Sequence, residues 1–230
     1  MEQLTNGYLL DTPPGTFPLS TDSILLQDFV RLPRAARVLD LGSGCGTLGL
    51  LLCARDESCH VTGIELDDNA HRAAVENIQR NDLSSRMESI CTDLRRLSAE
   101  FPPGAFSCCV SNPPYFTGGA ASKTTPLARR DDCCQLDDLF RAASHAIKYG
   151  GDFFLVQRPD RAAELIGCGQ KYALEAKRLR LIRHRSGGPI SLILLQFRKG
   201  GKPGLIWEEE TLFDEQGQPT PYYRTLYHLP

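Results

Sequence analysis

The stretch Asp40-Leu41-Gly42-Ser43-Gly44-Cys45-Gly46 restricts the fold more than any other part of this chain. It follows a short β-rich run, Ala35 to Leu41, and opens an apolar helical run, Thr47 to Arg55. Its glycines let the backbone turn tightly and approach a ligand closely. A glycine-rich loop between a strand and a helix is the ligand-binding corner of a doubly wound sheet, where ligands sit beyond the carboxyl ends of the strands. Glu65 ends the next strand-like run, where an acid can accept from both hydroxyls of a ribose.

The rest of the chain repeats the alternation. Strands are predicted at His60–Leu66, Met87–Thr92, Phe106–Ser111 and Asp152–Gln157. Helices are predicted at Asp67–Asn81, near Leu94–Glu100, at Leu136–Tyr149 with Gly150-Gly151 as its stop, and at Arg158–Cys168. In the Asp67–Asn81 helix, Ala70, Ala73, Ala74, Asn77 and Ile78 fall on one stripe. Leu174–Arg183 and Ile190–Arg198 read as closing strands, joined by a link too short for a crossover helix, so they pair antiparallel. Ahead of the glycine loop, residues 1–20 are turn-rich, and Ser20-Thr21-Asp22 caps a helix that Pro33 ends.

This order predicts an α/β fold with a doubly wound, Rossmann-like sheet, mostly parallel, with a C-terminal antiparallel hairpin. Residues 1–34 read as a lead-in and helix packed on the core, 35–200 as the main domain, and 201–230 as a C-terminal tail without clear period.

Composition excludes several classes. The net charge of -2 does not point to nucleic acid by itself, because the charge is unevenly spread. No apolar run approaches a membrane span, and Met1 to Asn6 does not read as a secretory signal. There are nine cysteines and no C-x-x-C pair, so neither a disulfide framework nor a metal site is expected. They read as reduced thiols filling apolar positions, which places the protein in the cytoplasm.

Two cofactor classes fit the glycine loop. A dinucleotide would set its pyrophosphate on the helix N-terminus, where Asp40 would repel it. S-adenosylmethionine (SAM) carries no phosphate and presents an amino group and a sulfonium charge, which an aspartate at this turn favours. Asp93, after the Met87–Thr92 run, has two readings: an acceptor for the cofactor's adenine amine, or the cap of the short helix that follows.

The Phe106–Ser111 run ends in Asn112-Pro113-Pro114-Tyr115. Two successive prolines take the chain out of the sheet in an extended turn. The Asn112 amide oxygen and the Pro113 carbonyl are two acceptors for the N–H bonds of an amino group, and the Tyr115 ring offers a flat face for stacking. Asn before Pro also occurs in plain turns.

Asp40 to Gly46, Glu65, Asp93 and Asn112-Pro113-Pro114-Tyr115, in this order, resemble the class I SAM-dependent methyltransferases that carry an Asn-Pro-Pro-Tyr motif. Those enzymes methylate planar nitrogens, either adenine amines of nucleic acids or glutamine amides of proteins. Three flanking segments, residues 15–29, Ala128-Arg129-Arg130 and residues 184–205, resemble the tRNA adenine-N6 methyltransferases that act on valine tRNA beside the anticodon. The resemblance implies that Asp40, Gly42 and Gly44 hold the methionine end of SAM, that Glu65 takes the ribose and that Asp93 faces the cofactor adenine. It places Asn112 at the meeting of cofactor and target, with Pro113, Pro114 and Tyr115 completing the catalytic motif; Phe116 has two readings, a second apolar wall or a core residue.

The basic segments fit a tRNA partner. From Lys171 to Lys202 there are nine Lys or Arg and one acid, Glu175. Lys123, Arg129 and Arg130 form a second group in Phe116–Arg130, a small-residue segment that reads as a mobile loop. Lys123, Arg129, Arg130 and Arg183 are the nucleic-acid contacts this reading selects. The bland alternative is a solvated strand face balanced by Glu208-Glu209-Glu210.

The competing targets are an adenine of ribosomal RNA or DNA and a protein glutamine. Glutamine methylation usually comes with a helical substrate domain ahead of the SAM loop, and here the loop already begins at Asp40. A SAM-binding protein without turnover and an NAD oxidoreductase are the remaining readings.

Overall fold

The computed structural model describes residues 1–4, 7–113 and 136–229. In chain order its elements begin with a two-stranded ribbon, β1 (Glu2–Gln3) and β2 (Leu9–Leu10), followed by α1 (Thr21–Phe29) and β3 (Arg37–Leu41). Next come α2 (Thr47–Arg55), β4 (His60–Glu65), α3 (Asp68–Arg80), β5 (Met87–Cys91), α4 (Leu97–Glu100) and β6 (Phe106–Ser111). The C-terminal part holds α5 (Leu136–Ala146), β7 (Ile147–Gln157), α6 (Ala162–Lys171), β8 (Leu174–Arg185), β9 (Ile190–Lys199), β10 (Ile206–Phe213) and α7 (Pro221–Leu226).

Eight strands form one sheet in the order β10-β8-β9-β7-β6-β3-β4-β5. Strands β3 to β7 run parallel, and β9 pairs antiparallel with both β7 and β8. The doubly wound sheet and closing hairpin are those the sequence pattern predicts. Both faces are covered, which is why the strands read as apolar runs rather than as alternations. Val38, Cys108, Val110 and Phe154 pack toward α1, α2 and α3. Leu39, Cys109, Phe153 and Leu155 pack toward α5 and α6. On that second face the Phe140 ring meets Phe153 and Phe197 edge-on at 5.3 and 5.1 Å.

The stripe Ala70, Ala73, Ala74, Asn77 and Ile78 is the buried face of α3. Asn77 of this stripe and Asn81, the residue that caps α3, fasten the lead-in. Asn81 exchanges both of its amide bonds with the Leu9 backbone. Asn77, fully buried, does the same with Asp11 and also donates to the Cys45 carbonyl of the glycine loop at 3.0 Å.

Two expectations are corrected. The helix read to Tyr149 ends at Ala146, and Ile147 to Gln157 is a single strand. Gly150-Gly151 therefore marks an irregular register against β6 rather than a helix stop. A Cβ at Gly151 would stand 2.6 Å from the Ser107 carbonyl oxygen, so the close approach requires glycine. The second correction is at the C-terminus. Residues read as a tail contain β10, an edge strand parallel to β8, and α7, which packs beside α1.

Candidate active site

The carboxyl ends of β3, β4, β5 and β6 share one edge of the sheet, as parallel neighbours must. The Ser111 hydroxyl, fully buried at the end of β6, donates to the Leu41 carbonyl at 2.7 Å and ties the two central strand ends together. The two sequence motifs, Asp40 to Gly46 and Asn112-Pro113, therefore leave adjacent strands at the same level.

In the glycine loop Gly42, Gly44 and Gly46 all take positive φ, at 74°, 54° and 82°. This lets the loop fold back on β4, with the Gly42 and Ser43 amides donating to the Ile64 carbonyl. Gly63 of β4 makes room for that fold. A Cβ there would lie 2.6 Å from Ser43 Oγ. Glu65 closes the loop from the other side. Its Oε2 accepts from the Gly44 amide at 2.8 Å, and its Oε1 accepts from the Leu66 and Asp67 amides. Oε2 keeps a lone pair beyond its single protein donor.

Asp40 is 2% exposed, and its Oδ2 has no hydrogen-bond partner among the described residues. Burial first, and then the charge of Glu65, push its carboxyl up to about 7. Ser43 Oγ, a few residues on, is likewise buried without a partner among the described residues. Unsatisfied buried polar atoms are uncommon and ask for an explanation. Here a cationic, hydrogen-bonding ligand at the loop supplies one. SAM fits this donor set through its ammonium group, whereas a pyrophosphate would meet the Asp40 carboxylate.

Asp93 follows β5 and caps the turn after it. Its Oδ1 accepts from the Arg95 amide at 2.9 Å, and the Arg95 guanidinium binds both of its oxygens. That side-chain bond leads the causes that hold its carboxyl below the usual value.

Asn112 is half-buried and Pro113 buried at the end of β6. The Asn112 Nδ2 donates to Ser23 Oγ on α1 at 3.0 Å. Ser23 was not singled out by sequence reasoning, and a contact between residues 89 apart leaves no local signal. Gln157 is fully buried at the end of β7; its Oε1 accepts from the Arg158 amide, and its Nε2 has no partner among the described residues. Pro114, Tyr115, Phe116, Lys123, Arg129 and Arg130 lie outside the described residues.

The basic C-terminal run is heavily engaged within the protein. Arg178 and Arg180 share Glu208, and Arg180 also pairs with Asp28 at 2.7 Å. Arg183 pairs with Glu209 at 2.6 Å and donates to the Gly188 carbonyl. Arg198 pairs with Asp152, Lys171 with Asp137, and Lys199 donates to two backbone carbonyls.

Comparison with known proteins agrees with this geometry. A family model described as the methyltransferase small domain matches residues 19–167. A protein of Photobacterium profundum named tRNA1(Val) (adenine(37)-N6)-methyltransferase is 28% identical over 204 residues, covering 87% of this chain and 85% of the relative. One of the same name from Actinobacillus pleuropneumoniae is 30% identical, with 90% and 87% covered. A solved structure from Agrobacterium tumefaciens, described as a predicted O-methyltransferase, superposes with a TM-score of 0.76 at 26% identity, covering 90% of this chain and 96% of that one. The geranyl diphosphate C-methyltransferase of Streptomyces coelicolor, solved with S-adenosyl-L-homocysteine, shares the fold at a TM-score of 0.59 and 13% identity, with 77% and 78% covered.

Proposed function

The chain belongs to the methyltransferase small domain family, and from that premise we propose that it transfers the methyl group of SAM to the exocyclic N6 amine of an adenine in tRNA, the adenine beside the anticodon of valine tRNA. The observation that carries this reading is the junction of β3 and β6. There Asp40, whose Oδ2 has no partner among the described residues, lies one strand away from Asn112 and Pro113, which we read as acceptors for an amino group. The names of the relatives supply the substrate.

In this reading the Asp40 and Ser43 side chains hold the amino acid end of SAM, and Glu65 accepts from the ribose through its remaining lone pairs. The bound cofactor supplies an electrophilic methyl group on a positively charged sulfur. Asn112 Oδ1 and the Pro113 carbonyl accept the two N–H bonds of the target amine, which aims its lone pair along the transfer direction. Tyr115 stacks the base. The protein's contribution is orientation and electrostatics, with no strong base required before transfer. The adenine leaves its stack to reach the site. Lys123, Arg129 and Arg130 are the cations we assign to RNA phosphates. The cytoplasm, where tRNA is available, is the compartment this activity implies. Among the described residues no helix is long and apolar enough to cross a membrane.

The test is methyl transfer from labelled SAM to unmodified tRNA, followed by nuclease digestion and nucleoside analysis. N6-methyladenosine in valine tRNA is the expected product. Clear SAM binding with no label in tRNA would overturn the substrate and redirect the assay to ribosomal RNA and then to protein glutamine.

A further inference from the structure

We propose that Ser23 is a positioning residue for transfer, fixing which end of the Asn112 side-chain amide faces the target amine. This rests on the reading of Asn112 as an acceptor for that amine. An asparagine amide is chemically two-sided: Oδ1 accepts, Nδ2 donates, and a half-turn exchanges them. Only one orientation serves an amino group. In the other, Nδ2–H bonds face N–H bonds and the acceptor is lost. Something must therefore select the orientation, and within the described residues the side chain's partner is Ser23 Oγ, which receives the Nδ2–H at 3.0 Å.

The Ser23 hydroxyl is well placed for this. A helical serine commonly bonds back to the carbonyl of the preceding turn. Ser23 instead meets Asn112 and the Ser20 hydroxyl, which lies 3.5 Å away. With two lone pairs, the Ser23 oxygen can accept from Asn112 whether it donates to Ser20 or accepts from it. Ser20 is the N-cap of α1 and accepts from the Ser23 amide, so this contact sits at a fixed helix terminus. Ser23 is 6% exposed, so little water competes for its hydroxyl.

The helix behind it is firmly held. Leu25, Leu26 and Phe29 are fully buried. The Phe29 carbonyl accepts from Arg178, and Asp28 pairs with Arg180. At the other end, the Tyr227 hydroxyl bonds to Thr21 Oγ1 at 3.1 Å. Helix α1 thus serves as a bracket carrying one hydroxyl to the transfer site.

The experiment is a variant series read by kinetics and by NMR. Ser23→Ala is expected to lower kcat by about tenfold, the scale of one net hydrogen bond, with KM for SAM unchanged. In an Asn112→Asp background both side-chain oxygens are acceptors and no orientation is wrong, so adding Ser23→Ala should change kcat by less than about twofold. Equal losses in both backgrounds would assign Ser23 a merely structural role. Independently of turnover, the Asn112 side-chain amide protons should exchange with solvent slowly in the ¹⁵N-labelled wild type and faster in Ser23→Ala. Equal exchange in the two proteins would overturn the proposal. Asn112→Ala separates the layers: if it retains full turnover, the reading of Asn112 itself fails, whatever Ser23 does.

Discussion

At Asp40, burial and the neighbouring Glu65 charge lift the carboxyl to about 7, from an ordinary value near 3.8. The folded protein then holds a proton between these values that the unfolded chain has released. Below about pH 4 both states are protonated and nothing is lost. As pH rises toward 7 the ligand-free fold is destabilised, by at most roughly 4 kcal/mol if no other group compensates. Urea melts of wild type and Asp40→Asn between pH 5 and 8 should therefore diverge, the wild type losing ground as pH rises. A constant difference would mean that Asp40 does not titrate in this window. Sequence reasoning found Asp40 and Glu65 because a strand, a glycine loop and a spaced acid are all local features. It left Asp93 between two readings, since nothing local says whether Arg95 will close on it. Ser23 is invisible to it, because its bond to Asn112 joins α1 to the end of β6 across a separation of 89 residues.

The strand β10 shows how a charged segment becomes sheet. Its stretch Ile206-Trp207-Glu208-Glu209-Glu210 has no apolar period and reads as a tail. The reason it pairs lies in β8, whose Arg178, Arg180 and Arg183 need partners. Arg178 is 4% exposed, stacks 4.2 Å from the Phe29 ring centre, and binds Glu208 through Nε and Nη2. Burial raises the Glu208 carboxyl, and the two arginines more than reverse this, leaving it below its usual value. Its stabilisation is therefore present above the ordinary carboxylate range and is lost as pH falls through it. Removing the acid leaves the buried Arg178 without a counter-charge and Arg180 with Asp28 alone, with little water to replace it. Glu208→Ala is expected to cost about 3 kcal/mol, lowering Tm by about 6–12 °C in a thermal melt. A change under about 1 kcal/mol would class the cluster with ordinary surface pairs.

Across the whole molecule, these ion pairs bear on how RNA is held. The run from Lys171 to Lys202 looks basic in sequence, yet Arg178, Arg180, Arg183 and Arg198 all meet acids in the fold. A cation already paired releases few counterions when a phosphate arrives. In tRNA binding measured against salt, Arg183→Ala should change the slope of log affinity by well under one unit. Removing Lys123, Arg129 and Arg130 together should reduce it by about one unit per residue. The reverse pattern would move the RNA surface to the β8 side of the sheet. The sequence by itself determined the doubly wound fold, the glycine loop between β3 and α2, and the exit of the chain from β6 at Asn112-Pro113. Each is written in a short window, as an apolar period, a backbone freedom or a missing N–H. Only the tertiary structure decided that β10 joins the sheet, that most of the basic run is neutralised, and that Asn112 is met by Ser23. Those outcomes depend on which side chains meet across the sheet, and local sequence carries no record of such meetings.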